Sequence, residues 1–403
     1  MKFNRSSQLV LVSAVSLLAA GLVTACGTLT VDFVYVTSAK AAGPNNYGEV
    51  NVFEVNSESG FMRQIPTSPF PSGGRNPVAE ATSSDNSTLY VVNEDDNTIV
   101  QFTIGNDGKL YPQNTLNTPG VFPLAVTVNS NYLYVLDTYQ PLPTCSTAAP
   151  CSGSVAAYPI NPDDSLGTPV ANNSISANYW PLTLPSKPTD VLTPTGITTA
   201  ASGADVYVTA YDTTLGGGYV FGFLVNSDGT LSAVAGSPFA AGTHPSAIAP
   251  DPSGNFVYVT DFAKGDVLSF SIASGILTRV NGSPIKAGNA PAAIVVDGTG
   301  KYAYVANSQD ATLSAYSISN GVLSFLGDSP TPVAYATGAQ PVAIGIDPSL
   351  NEYIYTANFL DDTVSGFQSN ATDGTLLNSQ YSPFKSNANP TAVAAIPHGS
   401  QKK

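Results

Sequence analysis

The chain has 403 residues, of which only 10% are charged, and its formal net charge is −14. Its 35 glycines and 31 prolines leave little room for long surface helices, so the composition favours an all-β fold. The acidic balance, without any cluster of lysine and arginine, argues against binding to nucleic acid or to anionic lipid.

Residues 1–25 have the pattern of an export signal. Lys2 and Arg5 precede an apolar run over residues 9–25 that is short for a membrane span. Cleavage after this run would remove two positive charges and make the mature chain more acidic. The pattern predicts an exported protein.

Residues 23–26, Val-Thr-Ala-Cys, resemble the lipobox of bacterial lipoproteins, which implies lipidation of Cys26. The alternative is an ordinary cleaved signal with an incidental cysteine. We expect residues 26–32 to tether the protein to a membrane on its periplasmic side, through the lipid alone. The outer membrane is preferred because Gly27 replaces the Asp that retains some lipoproteins in the inner membrane.

A repeat covers the rest of the chain: an X-Pro step opens a short apolar run, a strand centred on tyrosine follows, and a strand with a central aromatic comes third. The prolines are Pro77, Pro123, Pro194, Pro245, Pro291, Pro341 and Pro390, and the tyrosines are Tyr35, Tyr90, Tyr134, Tyr207, Tyr258, Tyr304 and Tyr355. The aromatics are Phe53, Phe102, Tyr158, Phe223, Phe270, Tyr316 and Phe367. Such repeats, about 40 to 50 residues long, are typical of propeller blades. We predict an all-β, seven-bladed β-propeller with four-stranded antiparallel blades.

The order of the repeat predicts how the ring closes. The first unit begins at its tyrosine strand, residues 33–37, and has no X-Pro strand before it. Residues 391–396 match the run after Pro245 but lead into no tyrosine strand. We therefore expect this C-terminal strand to join the first blade, which gives a propeller over residues 33–397 and a tail over residues 398–403.

Cys145 and Cys151 are the other two cysteines, and in an exported protein a disulfide between them is expected. Free thiols are the alternative. Two cysteines with no histidine nearby do not make a metal site, and we predict neither a metal nor a cofactor.

The longest connections lie on one side of the predicted disc. They are residues 39–47 and 137–152, between second and third strands, and residues 171–193 and 332–340, between blades. Both kinds of connection leave an up-and-down blade on the same face, and loops on a rigid scaffold are where binding usually occurs. We expect this face to point away from the membrane.

Two rings of residues should surround the channel mouth on that face. The residues before the repeat prolines are Asn76, Phe122, Thr193, His244, Ala290, Gln340 and Asn389. The tyrosine strands end at Ser38, Asn93, Asp137, Ala210, Asp261, Asn307 and Asn358. Uncharged polar groups suit a neutral, sugar-like or peptide-like ligand, and Asn76, Asn93, Asn307, Gln340, Asn358 and Asn389 are the candidate contacts. The alternative for the second ring is that its Asn and Asp side chains bond their own loops.

His244 is the candidate general base at the mouth, because its side chain titrates near neutral pH. Glu94 and Asp261 are the nearest acidic candidates by repeat position. Arg75, the single arginine beside the mouth, is a further candidate ligand contact. The alternative for His244 is a polar rim residue without a catalytic role.

The repeats resemble the seven-bladed lactonase-like propellers, a family that includes 6-phosphogluconolactonase-type and YVTN-repeat proteins. The resemblance rests on the segments at 244–249, 251–261 and 304–307, and on the Ser-Pro-Phe steps at Ser68, Ser237 and Ser382. It implies a channel-mouth site and, in the enzymes, hydrolysis of a sugar lactone without metal or nucleotide. Catalytic members are rich in His-Pro steps, whereas this chain has only His244-Pro245.

Two functions follow from these observations. The first is a monomeric binding or scaffold module of the cell envelope, which holds a small neutral ligand or an envelope protein or glycan. Its long loops, including the one with Trp180, would supply the contacts. The alternative is a metal-independent hydrolase of a sugar lactone or ester, of the 6-phosphogluconolactonase type by resemblance.

Overall fold

A computed structural model describes residues 29–42, 45–214, 216–348 and 351–399. Its strands form seven antiparallel sheets, each with an innermost strand that begins at or near a repeat proline. The innermost strands of successive sheets contact one another in a closed cycle, as the blades of a propeller do. The predicted seven-bladed fold is confirmed. The predicted leader, Cys26 and residues 400–403 lie outside the described residues.

Each blade has four main strands, which follow one another from the channel outward. Blade 1 contains Pro390–Pro397, Thr30–Ala42, Tyr47–Asn56 and Met62–Gln64. Blade 2 contains Pro77–Thr82, Thr88–Asn93, Thr98–Ile104 and Leu110–Asn117. Blade 3 contains Val121–Val128, Tyr132–Tyr139, Ser154–Pro159 and Trp180–Pro181. Blade 4 contains Leu192–Thr199, Asp205–Asp212, Gly218–Val225 and Leu231–Ala233. Blade 5 contains Pro245–Pro250, Phe256–Asp261, Asp266–Ala273 and Ile276–Arg279. Blade 6 contains Pro291–Val296, Tyr302–Asn307, Thr312–Ser319 and Val322–Phe325, and blade 7 contains Pro341–Ile346, Tyr353–Asn358, Thr363–Ser369 and Leu376–Asn378.

Five blades have an additional short strand that pairs with their third strand after the fourth has ended. These strands are Phe70–Pro71, Phe239–Ala240, Ile285–Lys286, Val333–Ala336 and Phe384–Lys385, and a 3₁₀ turn at Leu326–Asp328 precedes the fourth of them. In blades 1, 4, 5 and 7 a Ser-Pro step joins the fourth strand to the additional strand. The hydroxyl of this serine accepts an N–H of the third strand at a residue that neither outer strand pairs with, as Ser68 Oγ does from Val52 N at 2.8 Å. The Ser-Pro-Phe steps are therefore structural joints.

The core lies between the blades. Each of seven clusters of buried apolar side chains combines residues of two adjacent blades. Between blades 1 and 2, for example, Phe33 and Val52 pack with Leu89 and Phe102. Because both faces of every sheet are covered in this way, the second strands are apolar almost throughout.

Five of the seven repeat tyrosines join their blade to the next. Their side chains are fully buried, and a buried hydroxyl needs a hydrogen-bond partner. In four blades the hydroxyl donates to a carbonyl in the turn between the third and fourth strands of the following blade, and in blade 7 it donates to a carboxylate of blade 1. The bonds are Tyr35 to Gly108 O, Tyr90 to Asp164 O, Tyr207 to Gly275 O, Tyr304 to Gly374 O and Tyr355 to Asp32 Oδ2, at 2.7–3.2 Å. Of the other two tyrosines, Tyr134 OH accepts from Asn129 of its own blade, and the hydroxyl of Tyr258 has no partner among the described residues.

The ring closes as predicted, through the C-terminal strand. Pro390–Pro397 pairs antiparallel with Thr30–Ala42, in a register that sets Tyr35 opposite Ala394. The strand Thr30–Ala42 is longer than the predicted residues 33–37 and includes three residues of the predicted tether. His398 of the predicted tail continues the closure, since its N–H bonds to Val31 O at 2.8 Å.

One predicted connection is part of a blade. The sequence pattern predicts that residues 171–193 link two blades as a loop that displays Trp180, but Trp180–Pro181 is the outer strand of blade 3. The indole is 7% exposed and packs into the core between blades 3 and 4. Trp180 therefore fixes its own segment and does not offer a contact surface.

Candidate functional site

The X-Pro steps turn the chain from the outer loops into the channel. Five of the residues before the proline have left-handed backbone conformations with φ of 51–57°: Asn76, Phe122, Ala290, Gln340 and Asn389. In blades 2 and 4 to 7 the ladder shifts register within the next two residues, as it does between Pro245 and Ala247. Bulges of this kind re-aim side chains and are frequent beside active sites. The pre-proline residues are thus equivalent positions at one mouth.

Carboxylates from the loops after the second strands hold this rim in place. Asp261 is buried, and its oxygens accept N–H groups from Thr243 (2.6 Å), His244 (3.1 Å), Ala263 (3.1 Å) and Lys264 (3.2 Å). This side chain therefore orients the backbone of His244 and makes no hydrogen bond to the imidazole. Asp310, Asp361 and Asp362 accept rim N–H groups in the same way.

His244 lies half-buried on blade 5 between two aromatic rings. The centroid of its imidazole is 3.9 Å from that of Tyr211 and 5.4 Å from that of Phe262. Burial lowers the pKa of the imidazole, and the negative charge of Asp261 opposes that shift. Since the ordinary value is 6.5, the imidazole is mostly neutral at pH 7 and can accept a proton.

Blade 2 brings a second group of predicted residues together at the rim. Arg75 Nε donates to Asp96 Oδ1 at 2.7 Å, and Asp96 Oδ2 accepts the Arg75 N–H at 2.8 Å. Asn76 Nδ2 donates to Glu94 Oε2 at 2.6 Å. Burial, and secondarily the charge of Asp95, raises the pKa of Glu94. Arg75 is therefore already paired with a carboxylate, that of Asp96.

The amides of the second ring tie strands together. Asn93, Asn307 and Asn358 are fully buried. Asn307 Nδ2 donates to Thr312 Oγ1 (3.1 Å) and Ser314 Oγ (2.9 Å), and Asn358 Nδ2 makes the corresponding pair of bonds in blade 7. Their amide protons are already used within the blade. These amides bond hydroxyls of the third strand and not the backbone of their own loop, whereas Asp261 does accept the N–H groups of Ala263 and Lys264 in its own loop.

The remaining candidates are spread around the ring. Asn389 Nδ2 donates to Phe359 O at 3.2 Å, and the backbone carbonyl of Gln340 accepts the N–H of Phe359 at 2.9 Å. His244 belongs to blade 5 and Glu94 to blade 2. Among the described residues no hydrogen bond joins these two side chains, so the fold brings them to one mouth without making them a pair.

Glu80 is a carboxylate on an innermost strand, bonded to blade 1, that the loop pattern does not reveal. It stands on the innermost strand of blade 2, where the six other blades have Val126, Ile197, Ile248, Ile294, Ile344 and Val393. Its Oε2 accepts the hydroxyl of Thr37, and Oε1 is buried without a partner. Burial raises the pKa of Glu80 to about 7. Aligning the seven repeats would have identified this carboxylate in a row of branched aliphatic side chains.

The long loop of blade 3 is closed by the predicted disulfide. Cys145 and Cys151 are bonded, with their Cα atoms 5.5 Å apart. The intervening residues are exposed, so the bond constrains a loop on the same face as the channel mouth.

Two features are absent from the described part of the chain. Within residues 29–42, 45–214, 216–348 and 351–399, no three His, Cys, Asp or Glu side chains come together as a metal would require. Over those ranges, no helix has the length and apolar character needed to cross a membrane.

The fold and the channel mouth define a class of protein. Residues 33–382 match the family model described as lactonase, seven-bladed β-propeller. The chain therefore belongs to the seven-bladed β-propeller lactonase family. No curated protein matches it significantly.

Solved structures show the same fold at low sequence identity. A candidate 6-phosphogluconolactonase from Bacteroides fragilis superposes with a TM-score of 0.70 and 19% identity, over 92% of this chain and 99% of that one. The periplasmic gluconolactonase of Pseudomonas aeruginosa superposes with a TM-score of 0.71 and 17% identity, over 91% and 99%. At these identities the similarity is one of fold.

Proposed function

We propose that this protein is an exported, metal-independent hydrolase of an uncharged lactone, with its site at the channel mouth on the long-loop face. The observation that carries the proposal is the half-buried imidazole of His244, packed against Tyr211 at the rim of a lactonase-family propeller, with a pKa that burial lowers. A general base of this kind accelerates attack by water by roughly 10²- to 10⁴-fold.

His244 would take a proton from water as the water oxygen bonds to the lactone carbonyl carbon. The ring C–O bond then breaks, the ring oxygen takes up the proton that His244 accepted, and a hydroxy acid leaves with His244 neutral again. Aromatic packing by Tyr211 and backbone bonding to Asp261 fix the position of the histidine before substrate arrives. This pre-organisation is what a base needs in order to act on a bound molecule.

An unphosphorylated substrate is favoured by the charges at the rim. A phosphate group is usually held by several cationic donors, and Arg75 is paired with Asp96. The net charge of −14 also repels anions over a distance. Among the similar structures, one is named as a periplasmic gluconolactonase, and export of this chain would give it the same kind of environment.

The family match favours this hydrolase over the envelope binding module. Trp180, the expected loop contact of such a module, is buried in the core. The disulfide loop of blade 3 remains exposed, but no observation identifies a partner for it.

The test is proton release in a pH-stat, with D-glucono-δ-lactone and 6-phosphoglucono-δ-lactone as substrates, above the spontaneous rate. We expect the wild type to accelerate hydrolysis of the neutral lactone more than that of the phosphorylated one. His244→Ala should lose at least about 100-fold. Thr193→Ala, at the equivalent rim position of blade 4, is the control and should keep its activity. No rate above the spontaneous one in the wild type would refute the proposal.

A further inference from the structure

Two adjoining cavities open on the opposite face of the disc, where the first and second strands of each blade are joined by short turns. One, of about 380 Å³, lies where the turns of blades 2, 3 and 4 surround the end of the channel. The other, of about 550 Å³, lies between blades 3 and 4. Both are lined by Asn129, Asn131 and Gly203, so together they form one groove, which we call the turn-face groove.

The turn-face groove is polar but uncharged. Its lining, taken from the described residues, includes no Asp, Glu, Lys, Arg or His, although the chain has 28 acidic residues. Hydroxyls and amides make up its polar part, with Ser84, Ser130 and Asn131 exposed at the rim. Tyr132 and Pro159 add apolar ring surfaces at the outer end.

This chemistry is specific to one side of the ring. The first turn residue is Asp251, Asp297 or Asp347 in blades 5 to 7. In blades 2 to 4 it is instead Ser83, Asn129 or Ala200. The charge at this first position is absent from the blades that form the groove, and Asp85, two residues further along the blade 2 turn, lies outside the lining.

Asn129 gives the groove a rigid wall. Its Oδ1 accepts the N–H groups of Asn131 (2.9 Å) and Tyr132 (2.8 Å). Its Nδ2 donates to Gly203 O of blade 4 at 3.1 Å. The turns of blades 3 and 4 are thereby held together, and the groove exists before any ligand arrives.

We propose that the turn-face groove binds a neutral oligosaccharide. Hydroxyl and amide side chains complement sugar hydroxyls, and Tyr132 and Pro159 offer apolar surface to the C–H faces of the rings. A charged ligand would find no ion-pair partner there. Each of the two cavities, of about 380 and 550 Å³, falls within the range of about 300–1,000 Å³ for small-molecule sites. The site is separate from the proposed lactone site, which lies at the other end of the channel.

The test is saturation-transfer NMR of the full-length protein with three probes: cellotriose, maltotriose and triacetylchitotriose. We expect saturation of at least one trisaccharide by the wild type. Asn131→Trp fills the groove and should weaken that binding at least tenfold. The matched control is Asn255→Trp, because Asn255 is the equivalent exposed residue of blade 5. The backbone carbonyls of these two asparagines accept equivalent bonds, from Ile160 N at 2.8 Å and from Ile272 N at 2.7 Å.

The control variant should bind the trisaccharide as the wild type does, and both variants should hydrolyse lactone at the wild-type rate. Absence of saturation for all three probes, or binding that survives Asn131→Trp, would overturn the proposal. If the wild type hydrolysed no lactone, the measured trisaccharide binding would still stand, so the two proposals can fail separately.

Discussion

Replacing Asp137 with asparagine should stabilise the protein at neutral and alkaline pH. Asp137 ends the second strand of blade 3 and is fully buried. Its Oδ2 accepts the N–H of Gly120 at 3.2 Å, but its Oδ1 and the hydroxyl of Ser154 beside it are both buried without a partner. Asn307 occupies the same position in blade 6. Its Oδ1 accepts the N–H of Gly288, and its Nδ2 donates to Thr312 Oγ1. Asparagine at 137 can therefore make the bond that the carboxylate lacks.

The size of the effect follows from the pKa of Asp137. Burial raises this pKa from 3.8 to about 7, so the folded state holds a proton that the unfolded state has released. Stability contributed by this proton is complete below pH 4 and is lost as the pH rises towards 7. About three pH units at 1.36 kcal/mol each give roughly 4 kcal/mol as an upper value. The gain from Asp137→Asn should be largest above pH 7 and should vanish near pH 4.

Urea denaturation at pH 4, 6 and 8 measures this difference as a shift in the unfolding midpoint. The reciprocal variant Asn307→Asp is the control, and it should lose stability at pH 8 and acquire a pH dependence that the wild-type residue lacks. An Asp137→Asn variant with the wild-type midpoint at pH 8, or with a gain that is equal at all three pH values, would refute the reasoning.

Three further changes test other parts of the account. Glu80→Ile restores the aliphatic residue of the other blades. Because burial raises the pKa of Glu80 from 4.5 to about 7, this change should raise stability by at most roughly 3 kcal/mol at pH 8, but not at pH 4, in the same urea assay; equal midpoints at pH 8 would contradict this. Deleting residues 390–403 removes the innermost strand of blade 1 and should abolish cooperative thermal unfolding, whereas an unchanged melting curve would exclude the closure as an essential contact. Cys26→Ala should move the exported protein from the detergent phase to the aqueous phase in Triton X-114 partitioning; equal partitioning with the wild type would argue against lipidation.

Much of the fold could be predicted because the repeat encodes it chemically. A tyrosine lies in the middle of each second strand and in five blades makes the bond to the next blade, and an X-Pro step marks the entry to each innermost strand. The missing first strand of blade 1 was also readable, because residues 391–396 repeat the pattern of an innermost strand with nothing after it. Local sequence carries these features in every blade.

The outer edges of the blades were less predictable. The additional strands, such as Phe239–Ala240, have two residues or a few more and are specified by pairing with the third strand. The sequence pattern places Trp180 in a long loop because its strand is only two residues long. Short strands of this kind depend on contacts distant in sequence, which a local pattern does not record.

The sequence predicted where the rim residues lie in the fold, but their contacts only in part, and their role as a site stays a prediction. His244, Glu94 and Arg75 do lie at the rim positions that the repeat assigns to them. The sequence did not show that Asp261 bonds the backbone, or that Arg75 is paired with Asp96, because these depend on loop geometry. Glu80 was missed because a single Glu in an apolar strand is conspicuous only when all seven repeats are aligned.

The pH dependence of kcat/KM for D-glucono-δ-lactone tests the central claim most directly. Burial lowers the pKa of His244 below its ordinary 6.5, so a rate that depends on the neutral imidazole should fall on the acid side with an apparent pKa below 6.5 and stay level above it. This ionisation should be absent from the residual rate of His244→Ala. A His244→Ala variant with the wild-type rate and profile would contradict the account.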